Sequence, residues 1–249
     1  YITNFGKAHL EGFGGIEGVV KGKGELYSYI EKNKKIAFVN PNDEIQVEKT
    51  KNINSIPFSK EIRFVGANPF VELTLDDTSI KSNLIGTYNF ANITAAITIG
   101  TYFNVDKKTI KKAIESYVPT NNRSQIIEKE FNKIILDAYN ANPSSMEVAL
   151  ENFASIKENS KTIILGDMFE LGKTSKQEHQ NIVDLATKLG FDNLFFVGEN
   201  FYQTKTEKHQ FKTFYDLELH LKNNPLKHQS ILIKGSRGMR LERVLDVIS

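Results

Sequence analysis

The second half of the chain alternates short apolar runs with longer amphipathic segments, and this alternation limits the possible folds more than any other feature. Apolar runs typical of strands occur at 124–130, 133–137, 162–165, 193–197, 210–214 and 230–234. Segments with helical periodicity occur at 144–156, 175–189, 215–222 and 241–248. Strands that alternate with helices are typical of βαβ units and a mostly parallel sheet. We therefore expect a Rossmann-like α/β domain with right-handed connections.

The first half of the chain shows two strand patterns. Alternating apolar and polar residues predict antiparallel strands at 62–66, 70–75 and 79–84. Short apolar runs predict strands of a parallel sheet at 1–3 and 36–39, to which the antiparallel strands are appended. We therefore expect a mixed sheet in this half.

Helices are also expected in the first half. Their periodicity is visible at 18–30 and in the alanine-rich run around 93–100, whereas 44–49 fits either a short strand or a helix. Asp106 is a residue type that caps helices, and it precedes an amphipathic segment. The polar residues from Pro119 to Asn122 end this segment, so we place a domain boundary there and expect domains at 1–119 and 120–249.

Composition excludes several classes of protein. The 249 residues carry a net charge of only +2 with dispersed basic residues, which gives no indication of a nucleic-acid surface. The absence of cysteine excludes disulfides and thiolate metal sites, and no apolar run approaches the ~18 residues of a membrane span. The chain begins at Tyr1 without an initiator methionine or a signal peptide, and we expect it to be part of a longer protein.

A glycine-rich stretch from Asn4 to Tyr27 is the first candidate site. Seven of the sixteen glycines lie between Gly6 and Gly24, together with His9 and several lysines. Glycine permits positive φ and close approach of the backbone to a ligand. The pattern fits a flexible chain terminus equally well. A ligand site is favoured because the stretch follows an expected strand, and ligands of α/β sheets bind at the carboxyl ends of strands.

Polar residues follow three expected strands of the second half. They occupy Asp137–Pro143, Gly166–Glu170 and Lys234–Gly238. Asn and Asp often serve only turns and helix caps. We expect that one of Asp137, Asn140 and Asn142 has only this role. The basic residues of Lys234–Gly238 fit an anion-binding nest or a solvated turn. Arg123, at the domain boundary, is a candidate phosphate ligand.

Other sites are not indicated. His179, His209, His220 and His228 lack the spacing of a metal cluster, and we expect them on the surface or on helix faces. The chain contains neither a nucleophile-elbow motif nor a G-x-x-x-x-G-K-[ST] phosphate loop.

Five segments, taken in order, closely resemble motifs of the Mur ligases of peptidoglycan synthesis. They are Asn4–Gly14, Gly86–Asn92, Asp137–Met146, Gly166–Gly172 and Lys234–Met239. The resemblance implies the later part of a central ATPase domain, with a mixed sheet and helices, at 1–119 and a Rossmann-like C-terminal ligase domain at 120–249. Because the family's phosphate loop is not in this chain, we expect the chain alone to be inactive.

The resemblance also implies a chemistry. ATP phosphorylates a peptide carboxylate, and an amine attacks the resulting acyl phosphate. Within the family, the five segments most resemble the member that joins D-alanyl-D-alanine to UDP-N-acetylmuramoyl-tripeptide. Mg²⁺ is implied near His9 and Lys23, with Lys23 carbamylated; Lys21 is the rival for that role, and the helix register favours Lys23.

Further residues receive roles through the same resemblance. Asn89 and Asn92 match positions at the adenine, Asp137 matches the carboxylate near the ribose, and Asn142 is grouped with them at the nucleotide. Arg123 matches an arginine that meets the phosphates. On the acceptor side, or in domain closure, we expect the following residues: Asp167, Glu170, Lys234, Ser236 and Arg237.

Two alternatives remain at this point. One alternative is a sibling Mur ligase that adds a single amino acid, or a relative of folylpolyglutamate synthase. The chain fits this alternative less well than the leading interpretation. It also fits a non-catalytic binding module, because the phosphate loop is missing. For the leading interpretation we expect a cytoplasmic monomer that contacts neither nucleic acid nor membrane.

Overall fold

The computed structural model describes residues 1–158 and 160–248, and they form two compact units, Tyr1–Val118 and Pro119–Ser249. Helices lie at α1 (Leu10–Phe13), α2 (Ile16–Lys32), α3 (Glu44–Lys49), α4 (Asn89–Tyr102), α5 (Lys107–Ser116), α6 (Pro143–Ser155), α7 (Ser175–Leu189), α8 (Glu199–Tyr202) and α9 (Phe214–Asn223). Strands lie at β1 (Ala37–Val39), β2 (Ser55–Pro57), β3 (Ile62–Ala67), β4 (Phe70–Leu75), β5 (Thr78–Ile85), β6 (Gln125–Lys129), β7 (Asn132–Asp137), β8 (Lys161–Gly166), β9 (Asn193–Val197), β10 (His209–Phe211) and β11 (Ser230–Lys234).

The second unit is built on a six-stranded sheet in the order β10-β9-β8-β11-β7-β6. Every neighbouring pair is parallel except β6 with β7, which confirms the predicted, mostly parallel α/β fold. Strands β8 and β11 are buried almost throughout, as expected for parallel strands covered on both faces. β11 lies between β7 and β8, so the carboxyl ends of these three strands are adjacent.

The close of the second unit differs from the prediction. Residues 241–248 were expected to form an α-helix, but Leu241–Asp246 is a 3-10 helix. Leu241, Val244 and Ile248 are buried at a spacing of three to four, which either helix type satisfies. The apolar pattern alone therefore could not distinguish the two.

The first unit contains two separate sheets. β3, β4 and β5 form the predicted antiparallel sheet, whereas β1 pairs in parallel with β2, a strand that was not predicted. The expected strand at Tyr1–Thr3 is wrong, because this segment joins no ladder. Ile2 is nevertheless buried with Val39 in one core, so packing explains its apolar character.

Helices of the first unit follow the expected caps. Asp106 caps α5, because its Oδ1 accepts the Thr109 backbone N–H at 3.0 Å. Residues 44–49 form a helix, α3, whose N-cap Asp43 accepts from the Gln46 backbone N–H. The alanine-rich run belongs to α4, and Ile93 and Ile97 of α4 are buried with the antiparallel sheet.

Candidate functional site

The glycine-rich stretch folds into α1 and α2, which pack closely against each other. A β-carbon at Gly18 would lie 1.7 Å from the carbonyl oxygen of Phe13, and one at Gly22 would lie 2.5 Å from the Phe13 ring. Gly18 and Gly22 are therefore needed for helix contact. His9 precedes α1 in the left-handed conformation (φ 55°), and its side chain is exposed.

Lys23 connects α2 to the segment that leads to His9. Its Nζ donates to the backbone carbonyl of Asn4 at 2.9 Å, and burial lowers the pKa of Lys23. Lys21 is exposed and lines an open groove of about 550 Å³ with Glu17 and Lys49. Of the two lysines, Lys23 therefore has the environment that favours a neutral amine.

Asn89 and Asn92 lie together at the start of α4. Asn89 is buried, and its Nδ2 donates to the Ile85 carbonyl at 2.8 Å. Its Oδ1 accepts from Nδ2 of Asn92 at 3.0 Å, and Asn92 is exposed. Asn89 thus holds Asn92, which presents the accessible amide of the pair.

In the second unit, Asp137 and Lys234 form an ion pair at the carboxyl ends of β7 and β11. The two residues are direct neighbours in the sheet, and Lys234 Nζ lies 2.5 Å from Asp137 Oδ2. Lys234 is only 3% exposed, whereas Asp137 is partly exposed. The other oxygen of Asp137 accepts the Ser124 backbone N–H at 3.0 Å. The pair therefore ties the neighbouring strands β7 and β11 to the start of the unit.

Two arginines flank the ring of Tyr139 next to this ion pair. The Arg123 guanidinium carbon lies 4.0 Å from the ring centroid, and that of Arg237 lies 5.9 Å away. All three side chains are exposed, and Tyr139 retains 42% of its surface. Tyr139 was not among the predicted site residues; its position directly after β7 in a polar run was the available signal. A guanidinium over an aromatic face beside a second arginine suits an anionic, planar ligand.

The loop after β8 is held mainly by its own unit. The Asp167 carboxylate is 2% exposed and accepts backbone N–H groups of Asn200 and Phe201, both at 2.9 Å, and Nδ2 of Asn200 at 3.0 Å. Ser236 is also buried, and its Oγ accepts the Phe169 N–H at 2.9 Å. Glu170 is exposed in the left-handed conformation. Asp167 and Ser236 therefore position loops, and their substrate contacts stay predictions.

Asn142 serves as the N-cap of α6. Its Oδ1 accepts the Ser145 N–H at 2.9 Å, and Ser145 Oγ accepts the Asn142 N–H at 3.1 Å. This reciprocal pair is a capping box. Capping thus occupies the carboxamide oxygen of Asn142.

His179 was expected on the surface or on a helix face, and it lies on the buried face of α7. The side chain is fully buried in α7, because it bridges the helix to the loop after β8. Its Nε2 accepts the Met168 N–H at 3.0 Å, and its Nδ1 lies 2.7 Å from the Ser175 carbonyl. Since a carbonyl only accepts, Nδ1 carries the proton and the ring is neutral. Burial lowers the pKa of His179, against opposing effects of Ser175, Asp167 and Glu178.

This buried histidine predicts a loss of stability in acid. Unfolding exposes His179, whose pKa returns to about 6.5, so the unfolded state binds the extra proton below that pH. The free energy of unfolding is therefore expected to fall by up to ~1.4 kcal/mol per pH unit as pH drops from about 6.5 towards the folded pKa. Denaturant unfolding between pH 5 and 7 of the protein and of His179→Gln measures it. Equal slopes for both proteins would contradict the prediction.

Among residues 1–158 and 160–248, no group of three or more His, Asp or Glu side chains could hold a metal ion. Over the same residues, no helix combines the length and the apolar character needed to cross a membrane.

Two family models match the chain. The Mur ligase middle domain matches residues 1–100, and the Mur ligase glutamate ligase domain matches residues 122–225. The UDP-N-acetylmuramoyl-tripeptide–D-alanyl-D-alanine ligase of Rickettsia prowazekii is 27% identical over 98% of this chain. The chain spans 60% of the length of that relative.

Solved structures show the same similarity. The crystal structure of MurF from Acinetobacter baumannii covers 98% of this chain with a TM-score of 0.82 and 28% identity, and 58% of that protein is matched. MurF ligase from Thermotoga maritima in complex with ADP has a TM-score of 0.81 at 24% identity; the match covers 98% of this chain and 60% of the Thermotoga chain. Sequence and fold thus agree over both units, and the chain belongs to the Mur ligases.

Proposed function

We propose that the whole polypeptide containing this chain, called here the full-length protein, joins D-alanyl-D-alanine to UDP-N-acetylmuramoyl-tripeptide at the expense of ATP. The observation that carries this proposal is the match over 98% of the chain to a ligase of that name. Residues 1–119 would supply the later part of the ATPase domain, and 120–249 the ligase domain. Use of ATP favours a cytoplasmic location, and we propose a monomer.

The proposed reaction has two steps. The tripeptide carboxylate attacks the γ-phosphorus of ATP, so that an acyl phosphate forms and ADP leaves. The amine of D-alanyl-D-alanine then attacks the acyl carbon, an amide bond forms, and inorganic phosphate and a proton are released. Both steps concentrate negative charge, so the protein must provide cations at fixed positions.

We assign roles towards the nucleotide to residues of each unit. We assign Asn89 and Asn92 to the adenine, with Asn92 as the exposed member. Asp137 would bind the ribose, and Arg123 the phosphates; the exposed guanidinium of Arg123, held over Tyr139, supports this assignment. Asn142 would act through the capped start of α6.

The acceptor would meet the loops after β8 and β11. Glu170 and Arg237 are exposed there and would make the direct contacts. The burial of Asp167, Lys234 and Ser236 favours a supporting role for these three residues.

Lys23 and His9 fit a role towards Mg²⁺. Carbamylation requires a neutral amine, and burial lowers the pKa of Lys23, so the lysine fits this modification. Mg²⁺ is usually bound by one or two carboxylates together with substrate phosphates and water, and a carbamate would present the same kind of anionic oxygen. Bound there, Mg²⁺ would offset the charge of the phosphates. His9, at the start of α1, and Lys23, in the middle of α2, would hold it.

Product formation by the full-length protein tests the proposed function. With UDP-N-acetylmuramoyl-tripeptide and ATP, we expect D-alanyl-D-alanine to be joined with a kcat/KM at least ~100-fold above that of single amino acids, because a missing residue removes its whole set of contacts. Mass spectrometry of the product and ADP release measure it. Preference for a single amino acid would instead identify a sibling Mur ligase or a relative of folylpolyglutamate synthase.

A further inference from the structure

The burial of Lys234 separates it from the other basic residues of its loop. Its side chain is 3% exposed, whereas Arg237 is exposed. The ammonium contacts Asp137 Oδ2 at 2.5 Å and the Asn140 carbonyl at 3.3 Å. A buried charge requires such partners, because water no longer solvates it. The partners of the Lys234 ammonium are therefore residues of its own unit.

Asp137 also contacts the residues that precede β6. Its second oxygen accepts the Ser124 N–H at 3.0 Å, and the Tyr139 N–H donates to the Asn122 carbonyl at 3.1 Å. Asn122 and Ser124 both adopt the left-handed conformation, with φ of 56° and 51°. Asn adopts this conformation more readily than most residues, whereas Ser adopts it mainly where its surroundings impose a constraint. The two hydrogen bonds provide that constraint on both sides of Arg123.

We infer that Lys234 is a positioning residue, which acts through Asp137 to hold the Asn122–Ser124 segment and thereby keeps Arg123 over Tyr139. The link to ATP rests on the proposed function, in which Arg123 meets the phosphates. This assignment replaces the expected contact of Lys234 with the acceptor.

Loss of the Lys234 ammonium should change the position of Arg123. In Lys234→Met the Asp137 carboxylate loses its buried partner, and Arg123, next to Ser124 in the chain, is an exposed cation. The Arg123 guanidinium then leaves the Tyr139 ring to pair with Asp137, because an unpaired carboxylate in this position is costly. The Ser124 N–H loses a well-placed acceptor in the process.

Amide hydrogen exchange on the full-length protein tests the positioning role without any ligand. We expect exchange of the Ser124 amide to accelerate about tenfold or more in Lys234→Met, while amides of β9 keep their rates. Lys133→Met is the matched control, because Lys133 lies on the same sheet in a more exposed ion pair with Glu158. Unchanged exchange at Ser124 in Lys234→Met would overturn the inference.

A double variant covers the case in which Lys234→Met unfolds. Lys234→Met/Asp137→Asn removes both charges and leaves no unpaired carboxylate. If Lys234 acts through Asp137, its Ser124 exchange matches that of Asp137→Asn alone within about twofold. Exchange in the double variant that is faster by an order of magnitude would show an independent role and contradict the inference.

Kinetics of the full-length protein then separate positioning from acceptor binding. We expect the KM for ATP to rise about tenfold in Lys234→Met and the KM for D-alanyl-D-alanine to stay within twofold. A rise confined to the acceptor KM would overturn the inference. If the unmodified protein uses no ATP, the proposed function fails, while the Ser124 exchange still decides the positioning role.

Discussion

Replacing Lys23 with alanine in the full-length protein is expected to lower turnover by ~100-fold or more, because a carbamylated lysine would be a metal ligand at the phosphates. The side chain is partly buried, its Nζ donates to the Asn4 carbonyl, and burial lowers its pKa. A lowered pKa increases the fraction of neutral amine, the form that reacts with CO₂. Turnover with saturating Mg-ATP and both peptide substrates measures the loss.

Lys21→Ala is the matched control for this prediction. Lys21 lies two residues earlier on α2, is exposed, and lines a groove with Glu17 and Lys49. We expect its turnover to stay within about twofold of the unmodified protein, as for most exposed substitutions. Carbon-13 NMR in ¹³C-bicarbonate provides a readout independent of activity: a carbamate signal should be present in Lys21→Ala and absent in Lys23→Ala. Unchanged turnover in Lys23→Ala would remove this lysine from the site.

Asp167→Ala should destabilise the second unit by ~3 kcal/mol or more. The carboxylate is buried and accepts two backbone N–H groups at the start of α8 and the side-chain amide of Asn200. Alanine would leave these donors without an acceptor in a dry environment, and each buried unsatisfied donor costs ~1–3 kcal/mol. The turn packs tightly on this carboxylate, since a β-carbon at Gly198 would lie 2.3 Å from the Asp167 carboxyl carbon. Denaturant unfolding, followed by fluorescence and circular dichroism, measures the change.

Asp192→Ala is the control for the stability of Asp167. Asp192 is an exposed residue of the same type, and its carboxylate accepts the Lys161 backbone N–H at 2.8 Å. We expect a loss below ~1 kcal/mol for this variant, because water replaces the lost acceptor. Equal losses in the two variants would show that burial of Asp167 contributes little. Asp167→Asn should be intermediate, since it keeps one acceptor oxygen.

Strong local periodicity explains which elements were predictable. α7, β9 and β11 have the predicted bounds, because each carries an unbroken helical or apolar pattern. Tyr1–Thr3 has the apolar character of a strand but joins no ladder. β2 has only three residues and includes Pro57, so its pairing with β1 depends on a partner distant in sequence. The local pattern of apolar residues indicates which residues are buried. It does not show which segment pairs with which, because pairing depends on the neighbouring strand.

The candidate site divides in the same way. The amino-acid sequence by itself determined the α/β class and the loops that carry polar residues after β7, β8 and β11. Only the tertiary structure decided which side chains in those loops face solvent. Lys234 and Asp137 are 97 residues apart, and Asp167 meets Phe201 34 residues later. Burial of a charge depends on such distant partners, and the spacing of residues along the chain does not predict them.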